Sequence, residues 1–476
     1  MPLHVHPARL CAPGPARIWS LGLLAAALCA CGGGGGHHSV DVPGGPDRDA
    51  GQHGGGSTLD GSFPLPVDYD AGTPIPGNPP PELEGQGCAV DTNKIYDLVT
   101  LDRQPEPTRL AVDLSGSRFA LAYIDKSAQC IDAIYLAELE GASGVGMPSI
   151  APALDPCTSI DHTSIEYNGS DWLLASVDAR KDSRDLWVQA FDTDGKPASG
   201  ANRVTNNLAL EREVALLSLG SDAVLAAWVE QDLDGGKTQL KLRPLSAQGK
   251  PAGDEVVLDQ PTDSTWIVSG LSLAKLGDMF VGLAYRRTDQ TTGRSEIVLD
   301  VLDHQGMRDR DSWVLSTDAG ALGSVDVSAD DVGAGAIYSL IQGDSDQLWF
   351  QQLGLDGRAA KATSAGRVGG PVDPVRVVGP PYKAIDASLA KLPVGYAIAY
   401  RALPGGDVGS PRIRVHFLDR FGRILGKSDV ALAEANGGRT AIKSAYDGRI
   451  TVGWSDTDDQ GETTLTAIKL PCVGGI

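Results

Sequence analysis

The sequence predicts an all-β protein built from one repeated four-stranded unit, and two series of markers indicate the repeat. A short apolar run begins at intervals of 52 to 62 residues, near Phe119, Trp172, Val224, Phe280, Ala334, Tyr396 and Ile450. The glycine that ends a following alternating run keeps the same step, at Gly141, Gly195, Gly249, Gly306, Gly357 and Gly422. Because both markers share one period, the pattern is an internal repeat.

The unit at 214–259 shows the four predicted strands in order. The first strand, 214–219, is rich in small residues, and the second, 224–229, is apolar throughout, as a strand buried on both faces should be. The third, 240–246, alternates and is therefore half-buried, and the fourth, 255–259, is the weakest. Glycine follows the third strand because a hairpin turn there needs a positive φ.

One such unit has no partner for its apolar faces, whereas a row of units buries them. Seven units with small inner strands and more solvated outer strands predict a seven-bladed β-propeller of four-stranded antiparallel blades. A stack of β-sandwiches would explain the strands but not the regular step of about 54 residues.

The seventh unit has room for only three strands, at 440–446, 450–455 and 463–470. At the other end, 95–102 has the pattern of a fourth strand but precedes the first full unit. We therefore predict that this N-terminal strand completes the last blade beside 463–470, which would remove two exposed sheet edges.

The first thirty-one residues are not predicted to belong to the fold. Arg9 and Arg17 precede an apolar stretch, 18–28, that is too short to span a bilayer as a helix. The stretch ends in Leu28-Cys29-Ala30-Cys31-Gly32, which resembles the lipobox of bacterial lipoproteins.

The resemblance implies that 1–30 is a signal peptide and that Cys31 is lipidated and becomes the new N-terminus. It also implies an outer-membrane location, because Gly32 replaces the aspartate associated with inner-membrane retention. The alternative is an ordinary secretory signal that is cleaved nearby.

The remaining chain divides into a linker and the propeller. Residues 31–87 carry the predicted lipidated cysteine and a Gly/Pro-rich stretch, which we expect to be a disordered tether. Residues 88–476 form the predicted propeller, and this part has no apolar run long enough for a transmembrane helix.

Export would place four cysteines in an oxidising compartment, where three connectivities are possible. Cys130 opens the third strand of the first blade and Cys157 follows its fourth, so we predict a Cys130–Cys157 disulfide. Closure by strand exchange brings Cys88 near Cys472, which predicts the second disulfide.

Charge and motifs restrict the possible functions. The formal net charge is −21, and no basic stripe is interleaved with aromatic residues, which disfavours nucleic acid as a partner. Signatures of nucleophilic elbows, phosphate loops and zinc proteases are absent, as are the motifs of sialidase and WD-repeat propellers. The three propeller histidines, His162, His304 and His416, lie at different levels of different blades, so they do not predict a shared site.

Two candidate sites remain. The acidic loop at 456–462 partly resembles a calcium loop, which makes Asp456, Asp458 and Gln460 candidate calcium ligands, and no other cofactor is predicted. Loops that enter the first strands should form the mouth of the channel, where ligands bind to propellers. The candidate residues there combine charges with aromatic rings: Asp161, His162, Glu211, Arg212, Trp266, Tyr382, Lys383 and Arg439.

We interpret the sequence as a lipid-anchored β-propeller in the cell envelope that binds a ligand or acts as a scaffold without catalysis. Its partners would be the membrane, through the lipid anchor, and an envelope protein or glycan. The alternative is an extracytoplasmic hydrolase or lyase that acts on polysaccharide with carboxylates at the channel. A purely structural spacer is a third possibility.

Overall fold

The computed structural model describes thirty strands and the turns between many of them. The described residues are 87–88, 95–101, 106–112, 118–125, 131–138, 149–152, 160–178, 184–232, 238–259, 266–309, 312–317, 324–331, 333–342, 345–354, 373–380, 382–393, 395–404, 410–425, 430–434, 440–445, 448–458, 460, 463–470 and 472–473. They contain strands and turns but no helix, and therefore no helix that could cross a bilayer. The lipobox, Cys31, Cys130 and Cys157 lie outside these residues, as does the predicted tether except for Gly87.

Six sheets are each built from four strands that follow one another in the chain. They are β3 to β6 (Glu106–Val112, Arg118–Asp125, Ile131–Glu138, Ser149–Pro152), β7 to β10 (Ile160–Tyr167, Trp172–Asp178, Asp185–Phe191, Asn202–Arg203), β11 to β14 (Leu210–Ser218, Ala223–Gln231, Thr238–Ser246, Val256–Asp259), β15 to β18 (Trp266–Leu276, Phe280–Asp289, Ser295–Leu302, Trp313–Ser316), β19 to β22 (Val325–Ala329, Ala334–Gln342, Ser345–Leu353, Val375–Val378) and β23 to β26 (Tyr382–Leu392, Gly395–Pro404, Arg412–Asp419, Val430–Glu434). All neighbouring strands within them pair antiparallel where their register is given.

A further four-stranded sheet is composite. Its strands β27 (Thr440–Ser444), β28 (Ile450–Thr457) and β29 (Thr463–Leu470) come from the end of the chain, and its outer strand is β2 (Ile95–Leu101). β2 pairs antiparallel with β29. The predicted strand exchange is thus confirmed, and the seven repeats correspond to six blades of consecutive strands and one shared sheet.

A two-stranded ribbon adjoins this closure. β1 (Gly87–Cys88) pairs antiparallel with β30 (Cys472–Val473), and the backbone register places Cys88 opposite Cys472. Directly opposed Cα atoms in an antiparallel pair lie within the separation that a disulfide needs. The predicted bond between the two sulfur atoms remains a prediction.

The first strand of each sheet is the innermost. β3, β7, β11, β15, β19, β23 and β27 contact one another in that order, and β27 also contacts β3. The inner strands therefore form a closed ring, and the sheets radiate from it as in a β-propeller.

The hydrophobic core lies between neighbouring sheets because the second strands are apolar on both faces. β12 is buried along seven of its nine residues, and its Trp228 packs in a cluster with Val188 of the preceding sheet. Tyr285, Tyr338, Tyr400 and Trp454, at the corresponding repeat positions, are also fully buried. The repeated aromatic is thus an inter-blade core residue.

The hairpin glycines have two roles. Gly249 and Gly422 have φ values of 75° and 82°, which favour glycine. A Cβ atom on Gly422 would also approach Phe350 Cδ1 of the preceding sheet to 2.3 Å, and one on Gly249 would approach Val188 Cγ1 to 2.4 Å. The turn and the close blade contact therefore require the same residue.

Candidate functional site: the central channel

The inner strands surround a central channel with a volume of about 620 Å³. Its wall carries four carboxylates, from Glu166, Glu213, Asp326 and Asp386. It also carries the cationic side chains of Lys275, Arg286 and Lys443, with serine hydroxyls between the charged groups. Because the inner strands are rich in small residues, the channel stays open, and the charged and serine side chains make its wall polar.

The inner strands hold one another through side chains. Ser164 on β7 accepts a hydrogen bond from the Leu216 backbone N–H on β11 at 3.1 Å, and Ser272 on β15 accepts one from Val327 on β19 at 3.1 Å. Asp326 on β19 accepts one from the Leu389 N–H on β23 at 2.7 Å. In each case a side chain satisfies an N–H group that an inner edge strand would otherwise leave unpaired.

Asp326 is the most extensively bonded of the four channel carboxylates. Its Oδ1 accepts from the Ser272 hydroxyl at 2.5 Å and from the Val327 N–H at 3.0 Å. Its Oδ2 accepts from the Ser388 hydroxyl at 2.9 Å and from the Leu389 N–H. With both oxygens occupied, Asp326 is a framework residue that joins three inner strands.

Glu213 and Asp386 differ from Asp326 because the framework holds only one oxygen of each. Glu213 Oε2 accepts hydrogen bonds from the backbone N–H groups of Gly270, at 2.5 Å, and Leu271, at 3.3 Å. Asp386 Oδ2 accepts from the Arg401 guanidinium at 2.9 Å. Among the described residues, Glu213 Oε1 and Asp386 Oδ1 have no partner, so each can accept a hydrogen bond from a ligand.

Backbone bulges determine which residues face the channel at this level. The pairing of β11 with β12 shifts register between Glu211 and Val214, and that of β23 with β24 shifts between Ile385 and Ser388. A bulge inserts an extra residue and changes the direction of the side chains around it. Glu213 and Asp386 lie inside these two bulges and line the channel.

Glu166 is a channel carboxylic acid whose proton affinity is perturbed. Burial raises the pKa of Glu166 above its ordinary value, and the positive charge of Lys443 partly opposes the rise. The Lys443 Nζ atom lies 3.8 Å from Glu166 Oε2. A half-buried acid whose proton is retained to higher pH is the type of group that donates a proton in general acid catalysis.

A second perturbed acid, Glu211, lies between two blades rather than in the channel. Its side chain is fully buried, and within the described residues neither carboxyl oxygen forms a hydrogen bond of good geometry. Burial raises the pKa of Glu211 to about 7; the Thr205 hydroxyl and the backbone N–H of Glu211 partly oppose the rise, while Asp185 and Glu230 add to it. The group therefore changes charge near neutral pH.

Both neighbouring acids of Glu211 are paired with cations. Arg203 lies 2.5 Å from Asp185, and Lys241 lies 2.7 Å from Glu230. Glu230 also accepts a hydrogen bond from the Asn207 amide at 2.7 Å. These partners hold Asp185 and Glu230, which leaves Glu211 as the acid of the cluster without an ion-pair partner among the described residues.

Six of the eight residues predicted for the channel mouth have described side chains, and these six lie elsewhere. None of them lines the channel. His162 Nδ1 is buried and accepts from the Val214 N–H at 3.2 Å, and Glu211 is buried between blades. Arg212 bonds to Gln231, and Lys383 is half-buried.

The two predicted aromatic residues stack with arginines. The guanidinium carbons of Arg287 and Arg414 lie 5.0 Å and 5.1 Å from the ring centroids of Trp266 and Tyr382. The Asp161 side chain and Arg439 lie outside the described part of the chain.

The predicted calcium loop is only partly described. The Asp458 carboxylate accepts a hydrogen bond from the Gln460 backbone N–H at 2.8 Å, and Asp456 is half-buried. Within the described residues no group of three His, Cys, Asp or Glu side chains is arranged to hold a metal ion.

Sequence reasoning missed the residues that line the channel, although the first strands carry a signal. Some of these strands carry serine or aspartate at alternate positions, as in Ser324-Val325-Asp326-Val327-Ser328, and alternation places these side chains on one face. Ser324, Asp326 and Ser328 all line the channel. The small-residue content of the strands does not by itself reveal this polar face.

Comparisons with known proteins find only distant structural similarity. No family model matches the chain, and no curated protein matches it. Solved structures similar to it include a prolyl endopeptidase (14% identity, TM-score 0.46, 79% of this chain and 48% of that one). Another is an α-L-arabinofuranosidase from Fusarium graminearum (11% identity, TM-score 0.42, 80% of this chain and 98% of that one). A third is an α-L-arabinanase from Penicillium chrysogenum (12% identity, TM-score 0.36, 78% of this chain and 98% of that one).

The chain spans less than half the length of the prolyl endopeptidase. Likenesses at these scores carry no inference about what this chain binds or catalyses. The sheet topology itself defines the class: an all-β propeller with four-stranded antiparallel blades around a polar channel.

Proposed function

We propose that the central channel binds a polar, hydroxyl-rich ligand of the carbohydrate class. The observation that carries the proposal is the channel wall, where Glu213 and Asp386 each present an oxygen that the framework does not use. Carboxylate oxygens accept hydrogen bonds from hydroxyl groups, and serine hydroxyls both donate and accept them. The volume of about 620 Å³ lies within the usual range of ligand sites.

The charges in the channel favour this class over phosphorylated ligands. Four carboxylates face three cationic side chains, and the whole chain carries a formal net charge of −21. A polyanion would meet repulsion on approach, whereas a neutral ligand with many hydroxyl groups would not.

The test is a binding screen with the purified full chain against neutral, amino-bearing and carboxylated oligosaccharides, followed by isothermal titration of each positive. We expect saturable binding to at least one class. A folded protein that binds none of these oligosaccharides would contradict the proposal and would favour a spacer role.

A second candidate function is hydrolysis of a polysaccharide, and the state of Glu166 favours it. Glycoside hydrolysis needs a carboxylic acid that keeps its proton near neutral pH and a second carboxylate. Glu166 has a raised pKa and lines the same channel as Glu213 and Asp386.

Hydrolysis is tested by the release of reducing ends from polysaccharides. We expect Glu166→Gln to abolish the release, because the glutamine amide has no acidic proton to transfer to the leaving group. Glu434→Gln is the matched control, since Glu434 is exposed and pairs with Arg412 at 3.0 Å on the outer strand β26. Equal activity of the wild type and Glu166→Gln would exclude Glu166 as the acid.

We further propose that Cys31 anchors the protein in the outer membrane and that Cys88–Cys472 and Cys130–Cys157 are disulfides. The lipobox-like Leu28-Cys29-Ala30-Cys31 supports the anchor. The opposed positions of Cys88 and Cys472 in the β1–β30 ribbon support the first disulfide. An envelope glycan or protein would then be within reach of the channel.

A further inference from the structure

Asp386 has an unusual backbone conformation. Its φ is 53°, and within the described residues it is the one non-glycine residue with a positive φ. Its place in the bulge of β23 corresponds to Gly270 in the bulge of β15, where φ is 69°. This conformation is disfavoured for residues with a Cβ atom, although least so for Asp and Asn, and the fold alone could use glycine as β15 does.

The surroundings of Asp386 fix both its backbone and its side chain. The Thr440 hydroxyl donates a hydrogen bond to the Asp386 carbonyl oxygen, and the mostly buried Arg401 guanidinium holds Oδ2. Oδ1 is left without a partner in the described part of the chain, on the wall of the channel. An acceptor that is held by one oxygen and free at the other is preorganised for a ligand.

We propose that Asp386 contacts the ligand in the channel and determines its specificity, with Oδ1 accepting a hydrogen bond from a ligand hydroxyl or ammonium group. The inference rests on the proposed carbohydrate binding and assigns it to one residue. Backbone strain that is retained at a ligand-facing position, where glycine is found in a neighbouring blade, is typical of functional sites.

The test compares the full-length wild type with Asp386→Asn and Asp386→Gly. Asparagine tolerates a positive φ and can still accept from Arg401, and glycine removes the strain, so we expect both variants to fold cooperatively. Their affinity for the oligosaccharide that binds wild type most tightly should fall at least tenfold. Asp194→Asn, in an exposed hairpin turn, is the matched control and should bind as wild type does.

A change in specificity separates ligand contact from a purely structural role. If Oδ1 meets the ligand, Asp386→Asn should lose more affinity for amino-bearing oligosaccharides than for neutral ones. Its one carbonyl oxygen stays with Arg401, so the amide N–H groups face the channel, where a ligand hydroxyl can accept from them but an ammonium group cannot. If the wild type binds and Asp386→Asn binds with the same affinity, the assignment of Asp386 is overturned and the channel proposal stands. Loss of cooperative folding in both variants would make Asp386 structural, and absence of binding by the wild type would overturn both proposals.

Discussion

Replacing Glu211 with glutamine should stabilise the protein at alkaline pH and have little effect at acidic pH. Burial raises the pKa of Glu211 from 4.5 to about 7, so the folded state favours the protonated acid. The stability that this preference contributes is fully present below the unfolded-state pKa. It is lost as pH rises through the folded-state pKa, because the buried group then ionises without an ion-pair partner.

The magnitude follows from the difference between the folded-state and unfolded-state pKa values. A tenfold change in proton affinity corresponds to about 1.4 kcal/mol, so ionised Glu211 lowers the free energy of unfolding by at most about 3.5 kcal/mol above pH 7. Glutamine is an uncharged analogue of the protonated acid and removes this penalty. We therefore expect the free energy of unfolding of Glu211→Gln to exceed that of the wild type by about 2–3 kcal/mol at pH 8. At pH 5 the two free energies should agree within about 1 kcal/mol.

The assay is urea unfolding of both proteins at pH 5, 6, 7 and 8, followed by tryptophan fluorescence because Trp228 and Trp454 are buried. Glu434→Gln is the control for loss of an exposed carboxylate and should show no pH-dependent difference. If Glu211→Gln is less stable than the wild type at pH 8, Glu211 is ionised and stabilised in the folded protein, which would refute the expected burial penalty.

Three further predictions concern the anchor, the closure and the hairpins. Cys31→Ala should move the protein from the membrane to the soluble fraction. If Cys31→Ala stays bound to the membrane after a high-salt wash, the lipid anchor is excluded. Cys472→Ser should lower the free energy of unfolding under oxidising conditions by at most about 5–6 kcal/mol, because the bond would close a loop of nearly the whole domain; a free thiol at Cys88 or Cys472 in a peptide map would contradict it. Gly422→Ala should lower the free energy of unfolding by about 2–4 kcal/mol, because it combines a left-handed φ with overpacking against Phe350. Gly169→Ala is the control: its φ is 102° and nothing lies within 4 Å of the added Cβ, so it should lose only the conformational part of about 1–2 kcal/mol.

The repeat predicted those features that depend on local patterns. The apolar second strands, the hairpin glycines and the vacancy that β2 fills are all visible in the order of residues, since strand periodicity and turn chemistry act over a few positions. The pairing of β2 with β29 was predictable because the N-terminal strand had no neighbours in its own unit and the last unit had only three strands.

The channel site was less predictable because it depends on bulges and on packing between blades. The bulge between Ile385 and Ser388 changes which residues face inward, so the wall is formed by Asp386 rather than by Tyr382 or Lys383 upstream. Glu211 was predicted at the mouth, yet residues from two neighbouring blades bury it. Neither effect leaves a periodic trace in the sequence.

The composite sheet also has a consequence for the time order of folding. β2 is synthesised before every blade, but its partner β29 emerges after all of them. Until then β2 remains an unpaired strand, and the growing ring has an open edge that could pair with another chain. Completion of the fold therefore depends on a contact between distant parts of the sequence, which favours slow folding and makes the unfinished protein a natural substrate for chaperones.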